Sequence, residues 1–320
     1  MVNHVAHQYE MLKLAERWPV SFTYLIGRRR WEQRVRPMPH HLSWVWRYEP
    51  GAYDLAILHL DQRAAHPRTP THRAYLRVSD RVRDIPRITV NHGTPLFSEP
   101  DLGDMPEEVV IRRVKQLVGD DVMIVNSEAA ARRWGWGHPL RHGMSPEEWL
   151  PLPKRPLVVA QVSRGMPRYH GIPLLDAITT ELGRRGIGVI NIGEDVVPRT
   201  WSDQRRLLGA ALIYLDTTFD SPMPRGRTEA MHSGCCLLTT PRHDADSFVE
   251  NGVSGFLLGD DPQDWCDLVE DLLGPRFDEA VRIGRRARDV ATRAFHIDGY
   301  LAALWEIVAA RAARRRDLCE

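Results

Sequence analysis

The stretch "ALIYLDTTFDSPMPRGRTEAMHSGCCLLTT" (211–240) is the part of the sequence that is most informative about the fold. An apolar run, 211–217, leads into a loop rich in proline and arginine, then into a short helical pattern that carries Glu229. The helix is predicted to stop at Ser233–Gly234, and a second apolar run, 235–240, follows at once. A strand, a helix and a strand in this order are how α/β proteins build a phosphate-binding corner.

The same alternation of short apolar runs and helical patterns covers most of the chain. Helical periodicity is clear in "GIPLLDAITTELGRRG" (171–186) and "DWCDLVEDLLG" (264–274). Strands followed by helices, repeated many times, predict parallel sheets covered on both faces. Besides the two runs above, the predicted strands are 21–27, 54–60, 87–93, 121–127, 157–163, 188–193 and 255–260.

The length of 320 residues and one proline-rich segment predict two domains. The segment "MSPEEWLPLPKRP" (144–156) separates two strand patterns, so we expect doubly wound Rossmann-like domains at 1–150 and 151–320. The cleft between such domains is the default ligand site, because ligands bind beyond the carboxyl ends of parallel strands. We expect the helices after Phe277 to pack back across the hinge.

Composition excludes several classes of protein. The formal net charge of +1 provides no global field to recruit nucleic acid or a membrane, so a nucleic-acid partner is not expected. The four cysteines include no CxxC pair, which argues against a zinc site and a disulfide framework. The sequence has neither a signal-peptide pattern nor an apolar run of 18 residues. We therefore expect a cytoplasmic protein and leave open a peripheral contact with the inner membrane face; the oligomeric state is not indicated.

Residues 157–305 resemble the nucleotide-sugar domain of retaining family-4 glycosyltransferases, which have the two-Rossmann GT-B fold. Three signatures carry the resemblance: "VSRGMPRYHGIPLLDAI" (162–178), "SPMPRGRTEAMHSGCCLLTT" (221–240) and "DSFVENGVSGFLLGDD" (246–261). They occur in the family's order and at sensible spacing. The resemblance implies transfer of a sugar from a nucleotide-diphosphate sugar.

The first half of the chain resembles the same family less closely. "ITVNHGTP" (88–95) is similar to the strand whose terminal histidine faces the sugar, and "IVNSEAAARRWG" (124–135) is similar to the approach to the hinge. The family opens with a strand and a glycine-containing loop, whereas residues 4–14 look like its first helix. We expect the first strand to be missing or reduced, either because the reading frame starts further upstream or because the sheet lacks an edge element.

The donor-binding residues are predicted partly from chemistry and partly from the resemblance. Arginine forks suit a leaving diphosphate, and the family grips it with residues that match Arg164 and Arg168. A helix that begins near Gly226 offers free N–H groups to an anion. By resemblance, Glu229 accepts hydrogen bonds from the ribose hydroxyls. The predicted donor-binding residues are Arg164, Arg168, Arg225, Gly226, Arg227, Thr228 and Glu229.

The predicted catalytic residues are His92, Asp220 and Ser221. The resemblance places His92 against the sugar near the reacting carbon. The family has a second glutamate eight positions before Glu229, where this chain has Ser221. Either Asp220 supplies the carboxylate after a small shift of the loop, or Ser221 acts with backbone amides. The chain has no D-x-D motif in a plausible loop, so we expect neither an essential metal nor a cofactor beyond the donor.

The sequence leaves several points open. The acceptor is a glycan, a lipid or a small molecule, and the base and sugar of the donor are undetermined. An epimerase of nucleotide sugars with the same architecture is an alternative. A degenerate protein that binds a nucleotide sugar without turnover is another, and its best support is Ser221.

Overall fold

The structure is a computed structural model that describes residues 5–25, 31–162 and 167–316, the last three of them by backbone alone. The strands are β1 (Thr23–Tyr24), β2 (Ser43–Trp44), β3 (Ala56–Leu60), β4 (Arg87–Asn91), β5 (Phe97–Glu99), β6 (Gly103–Met105), β7 (Val122–Val125), β8 (His138–Pro139), β9 (Arg155–Ala160), β10 (Val189–Asn191), β11 (Ala211–Asp216), β12 (Cys236–Thr239) and β13 (Phe256–Leu257).

The helices are α1 (Val5–Leu12), α2 (Pro70–Arg81), α3 (Glu107–Val118), α4 (Glu128–Trp134), α5 (Ile172–Arg184), α6 (Trp201–Ala210), α7 (Arg225–His232), α8 (Pro262–Leu273), α9 (Phe277–Ala294) and α10 (Ile297–Arg316). Every run predicted as a strand contains one. The sequence analysis did not predict the hairpin of β5 and β6, because its strands are short and polar.

The chain divides into two compact units. Unit 1 comprises Met1–Gly143 and Ile297–Glu320, and unit 2 comprises Met144–His296. The sequence-based division at 1–150 and 151–320 placed α10 in the second domain, whereas its contacts place it in unit 1. The physical reason is burial, because Leu301 and Leu304 of α10 pack against the sheet of unit 1.

Unit 2 is a doubly wound parallel sheet of five strands in the order β10-β9-β11-β12-β13. Ile213 and Tyr214 of β11 face opposite sides: Ile213 packs in the cluster that includes α5 and α8, and Tyr214 packs in the cluster that includes α6 and α9. All six residues of β11 are buried. Burial on both faces explains why 211–216 is a continuous apolar run instead of an alternating one.

Unit 1 has a parallel four-stranded sheet in the order β3-β4-β7-β8. One face packs on α2, α3 and α4, and the other packs on α10, the end of α1 and the residues that follow it. Strands β1 and β2 pair with each other outside this sheet. A largely apolar cavity of about 530 Å³, lined by residues of β1, β3 and α10, lies beside the edge strand β3. Each unit thus has a parallel sheet covered on both faces, which is the Rossmann-like arrangement that the sequence predicts.

Candidate functional site

Three loops meet at the carboxyl edge of the unit 2 sheet. They follow β9, β11 and β12, which run parallel and so end at the same edge. The N–H of Asp220, in the loop after β11, donates to the carbonyl of Tyr169, in the loop after β9, at 2.9 Å. The hydroxyl of Thr240, after β12, donates to the carbonyl of Thr218 at 3.2 Å. These bonds join the three loops into one surface.

Gly171 fixes the loop after β9 against the loop after β11. It has a left-handed backbone, with φ of 65°, and forms the N-cap of α5. A Cβ at this position would overlap the carbonyl oxygen of Thr217, so only glycine allows the approach. Arg168 lies exposed on the turn just before it. Arg164, the other predicted diphosphate ligand, lies outside the described residues.

Helix α7 begins at the predicted corner. Pro224 is its N-cap and has no side-chain group that could bond the first N–H groups of the helix. Those groups lie in the first turn, at Arg225 and Gly226, and the helix dipole adds to their attraction for an anion. The predicted helix start is therefore present, immediately after a loop at the carboxyl edge of the sheet.

Glu229 lies one turn into α7 and is buried, with 3% of its surface exposed. The side-chain amide of Gln204, on α6, donates to Glu229 Oε2 at 3.3 Å, and Nε of Arg225 lies 3.8 Å from Oε1. The same amide is 3.4 Å from Oε1 of Gln161, after β9. Glu229 is thus held in place by two elements. Sequence reasoning missed Gln204, because nothing in its local pattern distinguishes it from other glutamines on helices.

The side chain of Arg227 is buried in the protein interior. Its guanidinium Nη1 lies 3.6 Å from Oδ2 of Asp216 and its Cζ lies 5.1 Å from the centre of the Phe248 ring. The side chain is buried, and burial lowers the pKa of the Arg227 guanidinium. Positions 225 and 227 point to different sides of a helix, so Arg225 faces Glu229 while Arg227 faces the core.

Gly226 leaves room for a neighbouring side chain. A Cβ at this position would overlap the hydroxyl oxygen of Tyr214, which is buried beneath the helix start. The sequence analysis names Gly226 among the donor-binding residues; in the structure, Tyr214 occupies the space that a side chain at this position would need. Burial, with the nearby carboxylates of Asp216 and Glu229, raises the pKa of Tyr214 well above its ordinary value.

The remaining predicted residues of the second signature also lie at this corner. Thr228 is fully buried, and Ser221 is half-buried in the loop before the helix. Asp220 is buried, and its Oδ1 lies 3.4 Å from Nε2 of His243, in the loop after β12. Sequence reasoning did not identify His243 as a neighbour of Asp220, because 22 intervening residues and a strand separate them.

His92 lies at the carboxyl end of β4 in unit 1, where it was predicted. Its Nε2 is 2.9 Å from Nδ1 of His59 on the adjacent strand β3, and the two rings are stacked. The ring of His7, on α1, has its centroid 4.3 Å from that of His92 and 5.7 Å from that of His142. Burial lowers the pKa of His59 to about 4, so it is neutral at neutral pH. The sequence did not identify this cluster, because its members come from four separate segments.

The described part of the chain has neither a metal-binding cluster nor a membrane-spanning helix. Across residues 5–25, 31–162 and 167–316, there is no group of three or more histidine, cysteine, aspartate or glutamate side chains arranged to hold a metal ion. Over the same ranges, no helix has the length and apolar character needed to span a membrane.

No protein-family model matches the chain, and no curated protein matches it. Solved structures do match. HepE from Anabaena, solved with UDP-glucose, is 16% identical over 81% of this chain and 79% of its own, with a TM-score of 0.59. Sucrose-phosphate synthase from Thermosynechococcus elongatus is 15% identical over 82% and 74%, with a TM-score of 0.60. A glycosyltransferase from Rickettsia africae is 13% identical over 95% and 94%, with a TM-score of 0.63. The chain therefore has the GT-B fold, with two Rossmann-like domains.

Proposed function

We propose that this protein is a retaining glycosyltransferase that moves a sugar from a nucleotide-diphosphate sugar to a saccharide or lipid-linked acceptor. The proposal rests on the position and burial of Glu229. It is a buried carboxylate one turn inside a helix that starts at the carboxyl edge of a parallel sheet, and Gln204 holds one of its oxygens. A carboxylate in this position can accept hydrogen bonds from the two vicinal hydroxyls of a ribose.

The same helix start suits the diphosphate of the donor. When the bond to the sugar breaks, negative charge develops on the leaving diphosphate, so fixed donors there stabilise the transition state. The N–H groups of the first turn of α7 are such donors, and Arg225 lies in that turn. Arg168 lies next to Tyr169, whose carbonyl accepts from the N–H of Asp220 in the loop before α7, and adds positive charge on that side. We assign Arg164 the same role, on the family resemblance alone. Neutralisation by arginines and a helix start requires no metal ion, so we propose metal-independent transfer.

On the sugar side we assign Asp220 the role of the second carboxylate. It is buried in the loop that leads into α7, and its backbone N–H is bonded to Tyr169. Ser221 next to it is half-buried and is the alternative. Replacing each by alanine separates them: loss of turnover in Asp220→Ala with a mild effect of Ser221→Ala supports this assignment, and the reverse result favours the serine. His92 remains our candidate for the residue near the reacting carbon.

The first experiment is a thermal-shift screen of the purified protein against UDP, GDP, dTDP, ADP and their common sugars. A ligand at 100 times its dissociation constant adds about 2.7 kcal/mol of stability, which is a readily visible shift. A clear response to one nucleotide family identifies the base. Screening with EDTA and with Mg²⁺ tests metal independence, because a shift that requires the metal would contradict it.

The follow-up experiment separates transfer from the two alternatives. With the nucleotide sugar identified by the screen, release of nucleotide and the anomeric configuration of the product are followed by NMR. Product with the configuration of the donor supports retaining transfer. Conversion of the donor sugar to its epimer without nucleotide release supports an epimerase. Binding with neither reaction, over a panel of saccharide and lipid acceptors, supports a binding protein without turnover.

A further inference from the structure

His243 has an unusual backbone conformation. Among the described residues it is the only non-glycine residue with positive φ, at 53°. Histidine reaches this left-handed region only at a cost, and such outliers persist where surrounding contacts hold them, often at functional sites. The residue lies in the loop that follows β12, at the carboxyl edge of the unit 2 sheet.

The contacts of the imidazole explain what this conformation achieves. Nε2 of His243 lies 3.2 Å from the carbonyl oxygen of Phe219 and 3.4 Å from Oδ1 of Asp220. Both partners are acceptors, so Nε2 carries the proton and donates to them. One N–H therefore contacts the main chain of residue 219 and the side chain of residue 220.

Asp220 is constrained from the opposite direction as well. Its backbone N–H donates to the carbonyl of Tyr169 at 2.9 Å, and its carboxylate is 4% exposed. Beside it, the guanidinium of Arg242 lies 4.1 Å from the centre of the Phe219 ring. Two consecutive residues of one loop, Arg242 and His243, thus contact two consecutive residues of another. This double contact sets where the Asp220 carboxylate lies relative to the start of α7.

We propose that His243 is a positioning residue, which holds the Asp220 carboxylate at the sugar-binding end of the donor site. This inference rests on the proposed function, since it assumes that Asp220 contacts the donor sugar. It assigns His243 no contact with the substrate. The left-handed backbone is then the conformation required for the imidazole of residue 243 to reach across to the other loop.

The test uses variants that separate backbone strain from the side-chain contact. Glycine adopts positive φ without strain, so in His243→Gly the relief of backbone strain offsets the loss of the N–H donor, and the variant should fold with a Tm close to that of the wild type. Asparagine tolerates positive φ and keeps an N–H donor on a shorter side chain, so His243→Asn should retain part of the function. His41→Asn is the matched control, because His41 Nε2 also lies 3.1 Å from a carbonyl oxygen, that of Leu12 in unit 1.

The readouts are Tm, the Kd of UDP, and the KM and kcat for UDP release from UDP-glucose. We expect His243→Gly to keep the Kd of UDP within twofold and to lower kcat at least tenfold, with His243→Asn intermediate and His41→Asn unchanged. Full activity in His243→Gly overturns the inference. So does a parallel fall of Tm, UDP affinity and kcat, which indicates a purely structural role. Both of these results leave the wild-type protein active, so they overturn the inference and not the proposed function. If instead the wild-type protein binds no UDP and releases none from UDP-glucose, the UDP-dependent function and this inference are overturned together.

Discussion

The hydroxyl group of Tyr214 packs against the Cα of Gly226, at the start of α7. A Cβ at this glycine would overlap the hydroxyl oxygen, and it would lie 3.3 Å from Cζ of the same ring. The tyrosine is buried, so its ring has little room to move away. The glycine in the Pro-Arg-Gly run is therefore required by the tyrosine on β11.

Gly226→Ala should lower the free energy of unfolding by about 1–3 kcal/mol, the usual cost of overpacking a buried site. Urea denaturation measures the loss. The loss should shrink in a Tyr214→Phe background, because the oxygen that meets the new methyl group is gone. An equal loss in both backgrounds would show that the tyrosine is not the cause.

Glu229→Gln should weaken binding of the donor nucleotide at least tenfold, because the amide cannot accept hydrogen bonds at both of its terminal atoms. Gln204→Leu should have a smaller effect in the same direction, since it removes the group that holds the Glu229 carboxylate. Isothermal titration with UDP measures both. Glu181→Gln, at the surface of α5, is the control and should leave the affinity unchanged. Unaltered affinity in Glu229→Gln would exclude the ribose role.

Lys154→Met should destabilise unit 2 by about 1–3 kcal/mol, the cost of leaving buried hydrogen-bond acceptors unpaired. The Lys154 ammonium donates to the carbonyls of Gly209 and Ser233, each at 2.8 Å, where α6 and α7 end. Thermal unfolding compares it with Lys115→Met, an exposed lysine on α3. Equal stability of the two variants would mean that these carbonyls find other partners.

Acid should destabilise unit 1 through His59. Its pKa is lowered by burial from 6.5 to about 4, so between these values the unfolded chain binds a proton that the folded protein does not. The contribution of His59 to the free energy of unfolding therefore falls, by about 1.4 kcal/mol per pH unit, as the pH drops from 6.5 towards 4. Asp61, whose pKa is raised to about 6, acts in the opposite direction in both proteins compared below.

His59→Gln should remove this contribution. Urea denaturation of the wild type and the variant at pH 6.5, 5.5 and 4.5 gives the difference between their free energies of unfolding. That difference, wild type minus variant, should fall by about 1.4 kcal/mol per pH unit as the pH drops, because Asp61 contributes equally to both proteins. Parallel curves would show that His59 titrates in the folded protein as it does in the unfolded one.

The architecture of both units could be predicted from the sequence because it depends on local patterns. The continuous apolar run 211–216 predicts a strand buried on both faces, and helical periodicity in 171–186 and 264–274 predicts the covering helices. The ranges of these elements follow from residues close together in the chain. The sequence indicates that the C-terminal helices pack back, but the residues of unit 1 that contact α10 could not be predicted, since they lie on strands about 200 residues away.

In the candidate site, too, some features follow from local sequence and others depend on contacts between residues that are far apart in the chain. That a helix with free N–H groups and a glutamate follows a strand could be predicted, because spacing along one short segment fixes that geometry. Which side chains contact the predicted residues depends on the tertiary structure. In unit 2 it brings Gln204 to Glu229 and His243 to Asp220, and it pairs Arg227 with Asp216. In unit 1 it brings His59 to His92. The members of each pair come from separate strands, helices or loops, and packing of the sheet within each unit sets their distances.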